Sequence, residues 1–288
     1  MNYAVYLIAI GNTALHLLKL AFKTLRESGF RGDVYILSDV NILPFSTDER
    51  TFLKKILKTD LNLDSNSNAS IATCDVRRLD QKNPRNRRNA SKFAICHMKA
   101  FVDKYVPIEK YNYLVYLDVD ILVSGSIKIF ESFLQKHNGS IITSQDKVKI
   151  LGESYFYLSR LWFKKGTRTA NLSKWELFKY WFKTPLCADI ICIPINKDGK
   201  KFLKLWQEEC QKGIDSDQAA LQAVLLRHFQ KQHVLAPYSI FGYGPVWHEY
   251  AREKKLEKVD SMFIHFGGAV RYPNAMEDYY QKYLFNQE

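Results

Sequence analysis

Two aspartates at the end of an apolar run are the residues of this sequence best suited to chemistry. Asp118 and Asp120 close the stretch YLVYLDVD, whose other residues are Tyr, Leu or Val. Burying a carboxylate is costly unless it is paired, hydrogen-bonded or bound to a metal. In an extended segment, side chains at positions i and i+2 point the same way, so the two carboxylates could share one divalent cation. The alternative is a strand-end turn in which both aspartates accept hydrogen bonds from loop amides.

A histidine far along the chain is the second candidate. His265 lies at the end of an apolar run in FIHFGGAVR, and Gly267 and Gly268 follow. The glycines would let the backbone approach a phosphate closely, and Arg271 would supply a positive charge. A lone histidine at a strand end is more often a core residue than a ligand. Its combination with the two aspartates favours the ligand.

The elements that must position these residues alternate between strands and helices. The continuous apolar run over 3–10 predicts a buried strand, a helix follows and closes at Gly29, and 33–39 predicts the next strand. Further along, the pattern predicts a helix over 91–105, the aspartate strand, a buried strand over 187–195, a helix over 216–228 and a strand over 261–266. This alternation is typical of a mostly parallel sheet with helices on both faces, where ligands bind at the carboxyl ends of the strands.

The composition limits the possible cellular compartment and the possible binding partners. The net charge of +12 favours anionic partners such as nucleotide diphosphates, nucleic acid or an acidic membrane surface. Five cysteines without a CxxC pair argue against a disulfide framework and a zinc cluster. The apolar start stops at Gly11, too short for a membrane span, so we expect a cytoplasmic protein.

A basic and aromatic segment stands out in the second half. Residues 147–183 hold nine Lys or Arg against two Glu, interleaved with Trp, Tyr and Phe. Such a segment suits a sugar platform, a membrane-interface patch or single-stranded nucleic acid, while the alternative is an ordinary amphipathic helix. We favour an acceptor-side region compatible with peripheral contact with an anionic membrane. Nucleic acid is not expected, because it leaves the aspartate and histidine elements unexplained.

These residues together resemble glycosyltransferase family 8, the group that contains glycogenin and the bacterial lipooligosaccharide galactosyltransferases. The resemblance covers most of the chain in order. It is carried by YAVYLIAIGNTAL, Ser91-Lys92-Phe93, YLVYLDVDILV, the Asp-Gln pair of DSDQAALQ, and HFGGAVR in place of the family's His-Phe-x-Gly-x-x-Lys. It implies one Rossmann-like α/β domain of the GT-A type over 1–288, with an acceptor-side helical subregion over 147–186.

The resemblance also implies roles for individual residues. Asp118, Asp120 and His265 would bind a manganese or magnesium ion that bridges the two phosphates of a nucleotide sugar, as expected for a UDP-hexose. Asp217 and Gln218 would lie closest to the reacting sugar carbon. The donor would contact Ala9, Asn12, Lys92, Val119, Gly267, Gly268 and Arg271.

Three departures from the family pattern alter these expectations. Arg271 replaces the family's usual Lys, and Thr13 stands where an aromatic residue is expected near the nucleoside, which weakens the expectation of uridine. The family's Asn-Ala/Ser-Gly motif appears as Cys187-Ala188-Asp189. Contacts to the acceptor and to the sugar hydroxyls are therefore expected to differ, and Asp189 could replace some of them.

Structural explanations remain open for four of the implied residues. Gln218 also fits a helix capping box of the form Asp215-x-x-Gln218, and Asp217 fits the first turn of that helix, where a negative charge is favoured. Asn12 fits a helix cap, and Lys92 fits a solvated first-turn residue.

The sequence therefore predicts a metal-dependent glycosyltransferase that moves a hexose to a hydroxyl of a saccharide or lipid-linked acceptor, and the resemblance implies that transfer retains the configuration of the sugar. One alternative is a DxD phosphatase of the haloacid dehalogenase type, although its motif favours Thr or Val at the position of Leu122. The other alternative is a basic nucleic-acid-binding protein, whose binding would be sensitive to salt.

Overall fold

A computed structural model describes the chain over nine ranges. These are 1–10, 12–39, 48–56, 98–145, 175, 186–211, 217–244, 256–267 and 274–285. At positions 12, 13, 211 and 219 only the backbone is described.

The regular elements of these ranges follow in chain order. The strands are β1 (Tyr3–Ala9), β2 (Val34–Ser38), β3 (Thr51–Lys55), β4 (Tyr113–Leu117), β5 (Ile121–Val123), β6 (Ile141–Gln145), β7 (Leu186–Pro194), β8 (His233–Leu235), β9 (Phe241–Tyr243) and β10 (Phe263–His265). The α-helices are α1 (Asn12–Glu27), α2 (Ile127–Lys136), α3 (Lys197–Gln211), α4 (Asp217–His228) and α5 (Asn274–Tyr283). Short 3-10 helices span Val102–Lys104 and Ile108–Lys110.

A mixed central sheet organises the described residues. Its strand order is β3-β2-β1-β4-β7-β6-β8. All neighbours are parallel except β7, which is antiparallel to both β4 and β6. The carboxyl ends of the other six strands and the amino end of β7 therefore share one edge, which we call the site edge. The predicted mostly parallel α/β sheet is confirmed, with this one reversal.

The connection between β6 and β7 leaves and returns at the site edge. Gln145 and Leu186 are Cα partners at the end of β6 and the start of β7. Both ends of the segment 146–185 are therefore fixed next to each other at this edge. The segment itself lies outside the described residues, apart from the exposed Trp175.

Helices cover both faces of the sheet and divide its core in two. Alternate residues of β1 separate accordingly, since Val5 and Leu7 join the core under α1, α2 and α5, whereas Tyr6 and Ile8 join the core under α3 and α4. Every residue of β1 and β7 is buried, which explains why β1 is a continuous apolar run and β7 is apolar apart from Asp189. Gly29, with φ of +94°, ends α1 in the left-handed conformation that favours glycine, as predicted.

A second, three-stranded sheet carries part of the site. Its order is β5-β10-β9, with β5 antiparallel and β9 parallel to β10. Residues 118–120 form the turn that connects β4 of the central sheet to β5 of this small sheet. The two sheets are therefore joined at the aspartates.

The structure differs from the sequence-based expectations in three elements. A strand, β3, forms at Thr51–Lys55, between the predicted strand over 33–39 and the predicted helix over 91–105, where no element was predicted. Of the helix predicted over 91–105, residues 91–97 lie outside the described part of the chain, 98–100 are helical, and Val102–Lys104 form a 3-10 helix. The predicted aspartate strand is divided by the turn into β4 and β5. Among the described residues, none of the helices has the length and apolar character needed to cross a bilayer.

Candidate metal and donor site

The turn after β4 places two carboxylates at the site edge. The Asp118 amide N–H donates to the carbonyl of Asp189 (2.9 Å), which extends the pairing between β4 and β7 by one residue. The Ile121 N–H then donates to the Asp118 carbonyl (3.2 Å), which closes the turn. The expectation of an extended aspartate segment was wrong, because the chain turns here to enter the small sheet. The two carboxylates consequently have different neighbours.

His265 reaches the same turn from the small sheet. It pairs with Ile121, and the Phe266 N–H donates to the Asp120 carbonyl (2.9 Å). Its Nε2 lies 3.3 Å from Asp120 Oδ1. Backbone pairing thus brings together residues that are far apart in the sequence.

The two aspartates and the histidine form a group that could hold a metal ion. One ligand atom from each of Asp118, Asp120 and His265 lies within 4.8 Å of the others. Ligands on opposite sides of one Mg²⁺ are separated by about 4.2 Å, because each metal–oxygen distance is about 2.1 Å. Carboxylate oxygens and an imidazole nitrogen suit Mg²⁺, Mn²⁺ or a similar divalent cation. The three ligand atoms could therefore bind such a cation if the side chains moved slightly closer together.

Lys99 is a buried cation that the sequence analysis did not identify. It is 2% exposed, and its Nζ lies 2.7 Å from Asp217 Oδ2, 3.2 Å from Asp118 Oδ1 and 3.0 Å from the Ala188 carbonyl oxygen. The Tyr116 ring lies beneath the ammonium at 4.5 Å, and the Tyr116 hydroxyl donates to Asp118. Lys99 thus connects the aspartate turn to the start of α4. Its only sequence signal is its position between Met98 and Ala100 in an apolar stretch.

Asp189 is a further buried carboxylate at the same edge. Its Oδ2 lies 2.8 Å from His265 Nδ1 and accepts the Cys187 thiol proton. In the sequence, Asp189 is distinguished only as a departure from the family pattern. The structure gives Asp189 a definite partner, Nδ1 of His265, whereas Asp120 lies beside Nε2 of the same ring.

The concentration of buried charge shifts the pKa of several groups. Burial, together with Asp189 and Asp120, raises the pKa of Asp118 to about 8, although Lys99 opposes the rise. For His265, burial would lower the pKa, but the carboxylates of Asp189 and Asp120 raise it well above its ordinary value. Burial opposes the charge of Asp189, yet His265 holds the pKa of that carboxyl below its ordinary value. Without a cation, Asp118 and His265 therefore favour their protonated forms.

The other predicted site residues are distributed as follows. Ala9 is buried at the carboxyl end of β1, and Val119 is buried in the turn between the aspartates. Asp217 and Gln218 begin α4, with Asp217 buried and Gln218 partly buried. Gly267 lies two residues after the end of β10 and is partly buried. The side chain of Asn12, the residues Lys92, Gly268 and Arg271, and the proposed capping residue Asp215 lie outside the described part of the chain.

Comparison with known proteins gives a likeness in fold. No family model matches the chain, and no curated protein matches it in sequence. Among solved structures, the apo crystal structure of mouse xyloside xylosyltransferase 1 superposes with a TM-score of 0.50 at 11% sequence identity. The match covers 94% of this chain and 99% of that chain. At this level of identity the likeness concerns the fold, which is of the GT-A type.

Proposed function

We propose that this protein is a metal-dependent glycosyltransferase that moves a hexose from a nucleotide sugar to a hydroxyl acceptor. The observation that supports this most directly is the grouping of Asp118, Asp120 and His265 within 4.8 Å at the carboxyl end of β4. The site edge of an open α/β sheet is where ligands commonly bind. A GT-A type fold and the resemblance to glycosyltransferase family 8 point to the same chemistry.

Electrostatics explain why a cation and a diphosphate suit this site. Four buried or partly buried carboxylates meet there, those of Asp118, Asp120, Asp189 and Asp217. Within the described ranges, Lys99 and His265 are the cationic groups in contact with them. A divalent cation would offset much of the remaining negative charge and would itself attract the donor diphosphate.

The chain's own residues would bind and orient the donor. Asp118, Asp120 and His265 would hold the cation, which when bound neutralises charge on the leaving diphosphate. Lys92 and Arg271 would donate hydrogen bonds to the phosphates, with the backbone of Gly267 and Gly268 alongside. Ala9, Asn12 and Val119 would contact the nucleoside and ribose, for which UDP is the favoured candidate.

The start of α4 would face the reacting sugar. Lys99 holds the Asp217 carboxylate in place by an ion pair of 2.7 Å. A fixed carboxylate there could accept hydrogen bonds from sugar hydroxyls or stabilise positive charge at the anomeric carbon, and Gln218 lies beside it. We propose that transfer proceeds with retention of configuration, in keeping with the family resemblance.

The acceptor would bind beside the segment 147–186. Its two ends are held at the site edge by the pairing of Gln145 with Leu186, so an acceptor bound to this segment could reach the transferred sugar. We propose a saccharide or lipid-linked acceptor, with peripheral contact between the basic residues of the segment and an anionic membrane. The protein would then act at the cytoplasmic face of that membrane.

A variant tests this acceptor proposal separately from the donor site. Changing Lys164, Lys165 and Arg168 together to Ser is expected to weaken sedimentation with anionic vesicles, or to raise the apparent KM for the acceptor. Donor affinity should stay unchanged. If vesicle binding and acceptor KM both equal those of the wild type, the segment is an ordinary solvated surface.

A thermal-shift panel tests the transferase proposal as a whole. UDP or a UDP-sugar is expected to raise Tm when Mn²⁺ is present and to have little effect in excess chelator, because the cation links the carboxylates to the diphosphate. Equal stabilisation in chelator would contradict the metal bridge. Sugar transfer is then measured on donors that bind, and release of free phosphate from phosphomonoesters without sugar transfer would favour the phosphatase alternative.

A further inference from the structure

Asp189 occupies an unusual position for a carboxylate. It lies in β7, a strand whose nine residues are all buried, and it is 9% exposed. A carboxylate in such a strand is destabilising unless specific partners compensate it. Its contacts therefore indicate why it is there.

Those contacts hold the carboxylate in one place. Oδ2 lies 2.8 Å from His265 Nδ1, and the same oxygen accepts the proton of the Cys187 thiol, two residues earlier on β7. The Asp189 carbonyl accepts the Asp118 N–H at 2.9 Å. One residue thus contacts a candidate metal ligand on each side, Asp118 through its backbone and His265 through its side chain.

The two nitrogens of His265 have separate surroundings. Nδ1 is beside Asp189, and Nε2 is 3.3 Å from Asp120 Oδ1, on the side of the candidate metal group. An imidazole that binds a cation through Nε2 must carry its proton on Nδ1. Nδ1 makes no hydrogen bond among the described residues, and a small rotation of the ring toward the Asp189 carboxylate 2.8 Å away would supply one, favour that form and fix the plane of the ring.

We propose that Asp189 is a positioning residue of the metal site, which holds His265 with its proton on Nδ1 and its Nε2 directed at the cation. The inference rests on the metal site of the proposed function and is independent of which sugar is transferred. It also gives a role to Asp189 at a position where glycosyltransferase family 8 has glycine. Asp189 would act through His265 and would not itself contact the cation.

Metal affinity provides the first readout, and it requires no enzymatic activity. Mn²⁺ binding by isothermal titration calorimetry is expected to weaken about 10-fold or more in Asp189→Asn and up to about 100-fold in Asp189→Ala, the range found when a partner of a ligating histidine is lost. Asp33→Asn is the matched control. Asp33 accepts hydrogen bonds from Tyr111 and Arg50 at the opposite edge of the sheet, so this variant should bind Mn²⁺ like the wild type.

The protonation of the His265 ring provides the second readout, which a merely stabilising role of Asp189 would not change. In Mg²⁺-loaded wild type, ¹⁵N NMR of the imidazole should show a proton on Nδ1 and none on Nε2. In Asp189→Ala this fixed form should be lost or mixed. Asp189→Asn keeps the size of the side chain and supplies the same comparison where the alanine variant is poorly folded.

The outcomes separate this inference from the proposed function. If the wild type binds Mn²⁺ and both Asp189 variants bind it equally well with an unchanged ring form, the positioning role is overturned and the metal site stands. If the wild type binds no divalent cation, both proposals fail. Weaker binding in the variants of a protein that transfers no sugar supports the positioning role and contradicts the transferase.

Discussion

Lys99 and Asp217 are 118 positions apart in the chain, and their side chains form a buried ion pair of 2.7 Å. The same ammonium lies 3.2 Å from Asp118. One cation therefore compensates a carboxylate on the aspartate turn and a carboxylate at the start of α4. This arrangement makes Lys99 a structural requirement of the site as well as part of its charge balance.

Replacing Lys99 should destabilise the protein strongly. Lys99→Met leaves two buried carboxylates without their cation, and breaking a buried pair in this way typically costs about 3–5 kcal/mol. Urea denaturation should show this as a lower transition midpoint. The control is Lys200→Met, because Lys200 pairs with Glu109 on the exposed surface, where ion pairs contribute about 1 kcal/mol or less. Equal midpoints for the two variants would contradict the role of Lys99.

Replacing Asp120 should remove activity and leave the fold intact. Asp120→Asn preserves the shape of the side chain at the rim of the sheet but removes the charge of a proposed ligand. We expect sugar transfer to fall by more than about 100-fold, with a change in Tm within about 2 °C. Near-normal turnover would rule out Asp120 as a ligand. Asp33→Asn, at the opposite edge of the sheet, serves again as the control with unchanged transfer.

Metal affinity should increase with pH. The pKa of Asp118 is raised to about 8 and that of His265 is raised well above its ordinary value, whereas a cation needs the carboxylate charged and the imidazole neutral. Below about pH 8, binding must therefore displace protons, and affinity should fall about tenfold per pH unit for each proton displaced. Mn²⁺ titrations at pH 6, 7 and 8 measure this slope. An affinity independent of pH would mean that these two groups are not ligands.

His233 predicts a separate pH effect on stability. Burial lowers its pKa to about 4, and its Nε2 lies 2.8 Å from Thr143 Oγ1. The unfolded state binds this proton near pH 6.5 and the folded state near pH 4, so the folded state loses stability as pH falls between these values. The full loss is about 3 kcal/mol. Urea denaturation of His233→Gln should show a weaker dependence between pH 6.5 and 4 than the wild type, and parallel curves would contradict the assignment.

Strands with strong local patterns were predictable from the sequence. β1, β2, β4 and β7 are buried runs of mainly apolar residues, and the structure places strands there because both faces of the sheet are covered. β3 was not predictable, since TFLKK is mostly exposed or partly exposed and lacks that pattern. Its strand conformation depends on pairing with β2, which is a tertiary effect.

The site was predictable only where residue type and chain position agree. Asp118, Asp120 and His265 end apolar runs, and the sheets bring those ends together. Lys99 carries no comparable signal, because lysine in an amphipathic segment normally faces water. Its burial becomes understandable only when Asp118 and Asp217 are seen on either side of it.

The pairing of Gln145 with Leu186 fixes both ends of the intervening segment at one point of the sheet. The chain leaves β6 and enters β7 at this point, so the hydrogen bonds between the two strands do not depend on the number of residues that connect them. In the unfolded chain, halving such a connection lowers the entropy cost of closing it by only about 0.6 kcal/mol. The entropy of loop closure therefore places little limit on the length of this connection. A chimera that carries a different insert between these two residues should still bind the metal but should differ in the acceptor that it binds.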